Sequence, residues 1–386
     1  MPESKVEHRD AWVEVDLDAI VANAGRLASL CASGCRSAPV VKANAYGHGA
    51  VPVSRALVDA GFDALCVATL DEALELRSAG IGVRILLLYE PPARAIGEAL
   101  DARVEVTLGT REGLMAARAL SATDRRRIGI QLKLDTGMSR QGLRHDRIEE
   151  FEDDLRALAG AVVGVWSHLS NGADRVVTTA QLGRFDLAVG WLRGLGIDAE
   201  RHTSGSAGIL AGLGTAYEMA RPGLAVYGVV PAEWADSAVP LPIELVPAMA
   251  VRARPVRAED LEVGARVGYG GTFEVTEPTQ VTLLPVGYAD GLRRSLGNGR
   301  SCVIHSGVKL PVVGRVSMDS CTVDTTALGP GRLVDRDSVF TLVGSDLGQT
   351  TTIEELARTA ATVPQEILLG FDDRLPFVYL NDRSPE

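Results

Sequence analysis

The sequence predicts an α/β chain in two parts: an N-terminal (β/α)8 TIM-like barrel and a C-terminal, mostly-β domain. Three observations carry that prediction. The length, 386 residues, exceeds one typical domain but suits a barrel of about 250 residues plus a smaller partner. From Pro39 onward, short runs rich in Val, Ile and Leu alternate with amphipathic stretches, the rhythm of βα units around a parallel sheet. Beyond residue 243 that rhythm stops, and short strand-like runs divided by Gly, Pro and Asn take over.

The expected barrel strands are 38–42, 64–68, 84–88, 104–108, 129–134, 161–166, a short one near 201–204, and 224–230. Between them, AVPVSRALVDAG (50–61) has helical apolar spacing and a terminal glycine, and TLDEALELRSAG (69–80) opens on a threonine cap. The barrel is therefore placed over residues 14–243. Residues 244–386 form the second domain, with residues 1–13 expected to join it. Its strands are expected in VPAMAVRARPVRA, TQVTLLPVGYA, SCVIHSGVKLPVVGRVSMDSCTV and DSVFTLVG, and its one long helix in TIEELARTAA (352–361).

Composition narrows the function. A formal net charge of −11 argues against a nucleic-acid partner, which would call for a basic face, and favours a small molecule. The five cysteines are odd in number and scattered, with no metal-ligand spacing, so they read as reduced and structural and no metal site is expected. The charged opening lacks an apolar signal core, and no stretch nears the roughly 20 apolar residues of a membrane helix; a cytoplasmic protein without a membrane partner is expected.

Barrel enzymes place working residues where strands end, which directs attention to VVKANAYGHG (40–49) and to Lys42 at the close of the first strand. Alone, such a lysine is usually a solvated surface residue. Here Tyr46 and His48 add hydrogen-bonding rings beside it, and Gly47 and Gly49 relax the backbone. Further along, LKLDTGMSRQG (132–142) holds Lys133 and Arg140, seven residues apart; a plain surface pair of Lys133 with Asp135 is the alternative there. WSHLSNGAD places His168 after the sixth strand, where an isolated histidine is more often a packing residue than a functional one. HTSGSAG and RPGLAVYG follow, then GARVGYGGTF with Tyr269, which alone could be a core tyrosine. PVGYADGLRRS and VGRVSMDS complete the series.

In this order, from about residue 11 to 380, the motifs resemble those of the alanine racemase family. The resemblance implies pyridoxal 5′-phosphate as cofactor, bonded covalently to Lys42, and a small amino acid as substrate. It implies cofactor contacts from Tyr46, Arg140, His168, Ser206, Arg221 and the backbone amides of Gly223 and Leu224, with His168 hydrogen-bonded to Arg221. Lys133 matches the lysine that is commonly carbamylated, and burial beside a cation would supply the neutral amine that takes up carbon dioxide. Arg221 would face the pyridine nitrogen; a guanidinium keeps its own proton, which makes the ring a weaker electron sink and suits racemisation over transamination or decarboxylation.

Across the family's dimer, Tyr269 would reach the neighbouring subunit's site. The backbone N–H of Met318 would meet the substrate carboxylate, as Arg140 would from its own subunit. Tyr288, Arg294, Arg315 and Asp319 would line the entry corridor. The implied reaction is two-base proton exchange at Cα, Lys42 serving the D enantiomer and Tyr269 the L enantiomer, in a homodimer with shared sites.

Two positions depart from the family pattern. Gly205 replaces its asparagine, and Gln365 stands where its tyrosine bonds the phosphate and borders the substrate side chain. Both put strict alanine specificity in question and keep serine or another small amino acid as an alternative. A non-catalytic pyridoxal-phosphate protein would need neither the β domain nor Tyr269. A related decarboxylase would pair the ring nitrogen with a carboxylate and use a cysteine where Arg221 and Ser317 stand.

Overall fold

The computed structural model describes residues 8–235, 240–329 and 334–382. These form two compact units. One comprises Ile20–Ala45 and Gly49–Val246; the other takes the described residues up to Ala19 together with Tyr46–His48 and Pro247–Asp382.

The first unit is a barrel of eight short parallel strands: Arg36–Ser37, Ala64–Val67, Arg84–Leu87, Val106–Leu108, Ile130–Asp135, Val162–Trp166, Glu200–His202 and Met219–Ala220. The first seven pair in sequence, directly or through the bridges Val40–Cys66 and Leu86–Glu105, and beyond the last two the Arg221 N–H donates to the Ser204 carbonyl at 2.9 Å. The ring closes where Met219–Ala220 pairs with Arg36–Ser37 and Val40 bridges Cys66. Strand Ile130–Asp135 shows how the interior is built. Its period of two puts Ile130, Leu132 and Leu134 on one face, and Gln131 and Lys133, both buried, on the other. Helix Leu70–Ser78 starts at a capping box in which Thr69 and Glu72 satisfy each other's backbone N–H groups. Helix Ala50–Asp59 ends just before Gly61, which sits at φ +96°.

Two expectations need correction. The run 224–230 is not the eighth strand. That strand is Met219–Ala220, and Leu224–Tyr227 forms a 3₁₀ turn after Gly223. All four turn residues are buried, and a turn enclosed on every side is as uniformly apolar as a buried strand. Nor does the first strand run as far as Lys42. Its pairing ends with the Val41 N–H bond to the Cys66 carbonyl, and Lys42–Gly47 then winds into a helical turn of left-handed sense.

The second unit is built on a ten-stranded, mainly antiparallel sheet. Strand Ala11–Asp16 lies inside it, antiparallel to Met249–Ala253 and parallel to Phe377–Leu380. A separate hairpin, Arg266–Val267 with Phe273–Glu274, seats Val267 against Val281 and Val313. Helix Ile353–Ala360 opens on a capping box at Thr352 and Glu355. No described helix is long and apolar enough to cross a membrane.

Candidate active site

The left-handed turn after Lys42 is the longest run of positive-φ non-glycine residues among the described residues. Ala43, Asn44, Ala45 and Tyr46 have φ of 50°, 53°, 54° and 53°. Each L-residue in that region costs roughly 1–2 kcal/mol, so four in succession persist only if the surroundings over-determine them. Glu72 Oε1 accepts from the Ala43 N–H at 2.7 Å. Asn44 accepts twice, from the Ala50 N–H at its side chain (2.7 Å) and from the Gly49 N–H at its carbonyl (2.9 Å). His48 Nδ1 donates to the Tyr46 carbonyl at 3.1 Å. Gly47, at φ +81°, is required twice over, since a Cβ there would also sit 2.8 Å from the Leu368 carbonyl oxygen. The turn holds Lys42 half-buried. Burial, then the Arg140 charge, push its amine below the ordinary lysine pKa, while Glu72 and Cys66 oppose that shift.

The barrel brings Lys133, Arg140, His168, Ser206 and Arg221 together with Lys42. Lys133 is 2% exposed. Its Nζ lies 4.2 Å from the Trp166 ring centre and donates to Gln141 Oε1 at 3.2 Å. Burial, reinforced by Arg140 and Arg221, pulls its pKa down to about 7, so near neutrality much of it is the uncharged amine. Arg140 rides on a loop pinned by Asp135, whose Oδ1 accepts from the N–H groups of Gly137, Met138 and Ser139, each at 3.0 Å. Both Lys133 and Arg140 lie 5.6 Å from the Tyr89 ring centre. His168 is pushed down to about 3 by burial and then by the Arg221 and Arg140 charges, which leaves a neutral ring at any working pH.

Arg221 is 3% exposed. It donates to the Ser167 carbonyl at 2.9 Å, to the Thr203 carbonyl at 3.1 Å and to His202 Nδ1. The histidine that Arg221 bonds is therefore His202, not the expected His168. Burial lowers the guanidinium to about 10, and it stays charged at neutral pH. Opposite it, the N–H groups of Gly223 and Ala225 converge on Ser206 Oγ at 3.0 and 3.1 Å. Backbone amides gathered on one hydroxyl, at the start of the turn Ser206–Leu210, are donors of the type that can hold an anion. Gly205 leaves the adjacent backbone without a side chain beside His168.

The remaining expected residues lie in the β unit. Tyr269 projects from the hairpin loop and is 71% exposed, flanked by Gly268, Gly270 and Gly271, all at positive φ. Arg315 packs under this loop: a Cβ at Gly270 would lie 3.2 Å from its guanidinium. Tyr288 and Met318 are joined through the backbone, the Tyr288 N–H bonding the Ser317 carbonyl and the Ala289 N–H the Met318 carbonyl, both at 2.9 Å. Asp319 pairs with Arg374 at 2.7 Å, and Arg294 is exposed. Gln365 sits in the short helix Pro364–Leu368, and its buried Oε1 has no hydrogen-bond partner among the described residues.

Four residues that sequence reading passed over belong to the barrel site: Glu72, Gln131, Trp166 and His202. Gln131 left a signal, a polar residue that alternates with Lys133 against the apolar face of its strand.

Comparison with known proteins follows the same division. Residues 15–231 match the family described as alanine racemase, N-terminal domain, and residues 248–379 match alanine racemase, C-terminal domain. An alanine racemase of Syntrophobacter fumaroxidans is 36% identical, over 92% of this chain and 94% of its own. The structure of the Bacillus anthracis alanine racemase with bound L-Ala-P superposes with a TM-score of 0.87 at 30% identity, over 98% of this chain and 96% of that one. That of the Bartonella henselae alanine racemase with covalently bound pyridoxal phosphate gives 0.85 at 29% identity, over 96% and 99%. With both domain models matched and relatives that are alanine racemases over nearly their full length, the barrel followed by a β domain is an isomerase of the racemase class. The chain belongs to the alanine racemase family.

Proposed function

We propose that this chain is a pyridoxal-phosphate-dependent racemase that interconverts L- and D-alanine in a homodimer with shared sites. The observation that carries the reading is the grouping at one barrel end of a depressed amine on Lys42, the buried guanidinium of Arg221 and the amides around Ser206. This donor set fits the cofactor: an amine for covalent attachment, a fixed charge for a ring nitrogen, an amide nest for a phosphate.

Bound there, pyridoxal phosphate would draw electrons from the Cα of an attached amino acid and acidify its C–H bond. Lys42, held by the left-handed turn, is the base for one face of Cα. The exposed Tyr269 of a second subunit serves the other face, and two bases on opposite faces give inversion. Tyr46 and the backbone amides of Gly223 and Leu224 hold the phosphate with Ser206, and His168 packs beside the ring. Arg140 and the Met318 N–H orient the substrate carboxylate. Lys133, neutral in part, would form an N–C bond to carbon dioxide, release the N–H proton to solvent and so become an anionic carbamate beside Arg140. Tyr288, Arg294, Arg315 and Asp319 border the approach.

A second reading, a small polar amino acid such as serine, draws on Gln365, whose buried carbonyl oxygen would accept a substrate hydroxyl. Solvent-deuterium exchange followed by NMR, with L-alanine, L-serine and added pyridoxal phosphate, decides between them. Deuterium at Cα together with the D enantiomer of alanine is expected, at a sharply lower rate in Tyr269→Phe. Faster exchange of serine would reassign the substrate, and cofactor binding without exchange of any small amino acid would overturn the racemase reading.

A further inference from the structure

Below Arg221, polar side chains continue through the barrel interior where a hydrophobic filling is usual. His202 Nε2 lies 2.8 Å from Gln131 Oε1, Gln131 Nε2 lies 2.6 Å from Glu105 Oε2, and Glu105 receives Arg84 at 2.8 and 3.1 Å. Arg84 also bonds Glu200 at 2.9 and 3.3 Å. His202 and Gln131 are at most 1% exposed.

The proton positions along this row are forced from both ends. A guanidinium can only donate, so His202 Nδ1, facing Arg221, must be bare. The one proton of the neutral ring then sits on Nε2 and is donated to Gln131 Oε1. At the other end, the ionised Glu105 can only accept, so the amide must turn its NH₂ group towards it and its oxygen towards His202. Flipping the amide would break both bonds at once. Two further features protect this arrangement. A Cβ at Gly164 would overlap the Gln131 amide, so the neighbouring strand leaves room for it by carrying no side chain. Trp166 stacks on His202 at 5.8 Å and 7° and is itself tied to Thr107 Oγ1 at 3.2 Å, which sets the plane of the ring.

We propose that Gln131, clamped by the Glu105–Arg84 pair, is a positioning residue that fixes His202 as the Nε2–H tautomer and so presents a permanent acceptor that locks the Arg221 guanidinium. The tautomer assignment stands on the barrel alone; its consequence for a pyridine nitrogen rests on the function proposed above. The downward shift of the His202 pKa by burial and by Arg221 agrees with a ring that stays neutral.

The test is long-range proton–nitrogen NMR of the full chain labelled with 15N-histidine, with and without added pyridoxal phosphate, the His202 signals being assigned by their loss in His202→Gln. A single neutral tautomer with Nε2 protonated is expected in the wild type. In Gln131→Met the separation between the two ring-nitrogen shifts should shrink by about half as the other tautomer enters. Glu105→Gln, which keeps shape but lets the amide turn, should move the shifts the same way and decides the matter if Gln131→Met does not fold. In turnover, Gln131→Met should lower kcat about tenfold with KM little changed. A wild-type ring protonated on Nδ1 or on both nitrogens, or shifts unmoved in both variants, overturns the proposal. A moved tautomer with unchanged kcat overturns the positioning role while the racemase reading stands. A wild type that racemises nothing sinks that reading, and the nitrogen shifts still decide the relay.

Discussion

The barrel end and the exposed face of the β unit contribute to the proposed site in opposite ways. Around Arg221 the polar side chains are largely buried and bonded within the barrel, and burial moves the pKa values of Lys42, Lys133 and His168 downward. On the β unit, Tyr269 and Met318 are 71% and 53% exposed, held by glycine-rich turns and backbone bonds. The barrel end is organised by bonds within the chain. The β face leaves these side chains exposed, and in the proposed homodimer a second copy of the chain would cover it.

The sharpest test of that contrast is complementation. Lys42→Ala and Tyr269→Phe should each reduce racemisation by about 10²–10⁴ in kcat, as loss of a positioned acid–base group does. Mixed after unfolding and refolding, or co-expressed, the two should recover about a quarter of wild-type activity. Half the dimers would then be mixed, each with one intact site. No recovery, measured by a chiral amino-acid assay, would place both bases in one subunit and erase the distinction between the two regions.

A smaller effect is expected from the turn itself. Gly47→Ala puts a Cβ against the Leu368 carbonyl in a left-handed conformation and should lower stability by about 1–3 kcal/mol, read as a fall in denaturation midpoint with m unchanged. Glu72→Gln keeps the shape but weakens the acceptor at Ala43 and the capping box, so about 0.5–1.5 kcal/mol is expected.

The mildest prediction concerns pH. With its amine unmodified, Lys133 has a folded pKa of about 7, below that of the unfolded chain, so between pH 7 and the ordinary lysine range the unfolded state binds more protons. Stability should therefore rise with pH through that window and be penalised below it. In Lys133→Met the rise should flatten. Thermal unfolding from pH 6 to 9 measures it, and equal slopes in the two proteins would show that Lys133 is not the buried amine described.

Much of this was legible in the sequence because burial writes itself as composition. Six of the eight barrel strands overlap the expected runs, the first pairs just ahead of its run, and Thr69 announced its helix by capping chemistry. The eighth run misled for the same reason it was noticed, since Leu224–Tyr227 is apolar on all sides in a turn as it would be in a strand. The left-handed turn left almost no trace, because its residues are ordinary and its strain is balanced by Glu72, 29 positions away from the Ala43 N–H that it holds. Contacts at such range have no local signature. His202 fell on the other side of the same limit: its role depends on Arg221 above and Gln131 below, and neither neighbour is near it in sequence.

That turn also bears on how this protein could be engineered. The four residues after Lys42 hold roughly 4–8 kcal/mol of unfavourable conformation, taking 1–2 kcal/mol for each. Glycine at Ala43 or Ala45 would release part of it, as an exchange that suits the native φ. The released energy would no longer resist motion of the segment that carries the lysine. A search for thermostable variants would therefore be drawn to these positions, and the variants it found would be the ones in which a gain in melting temperature came with a loosened Lys42, the proposed base.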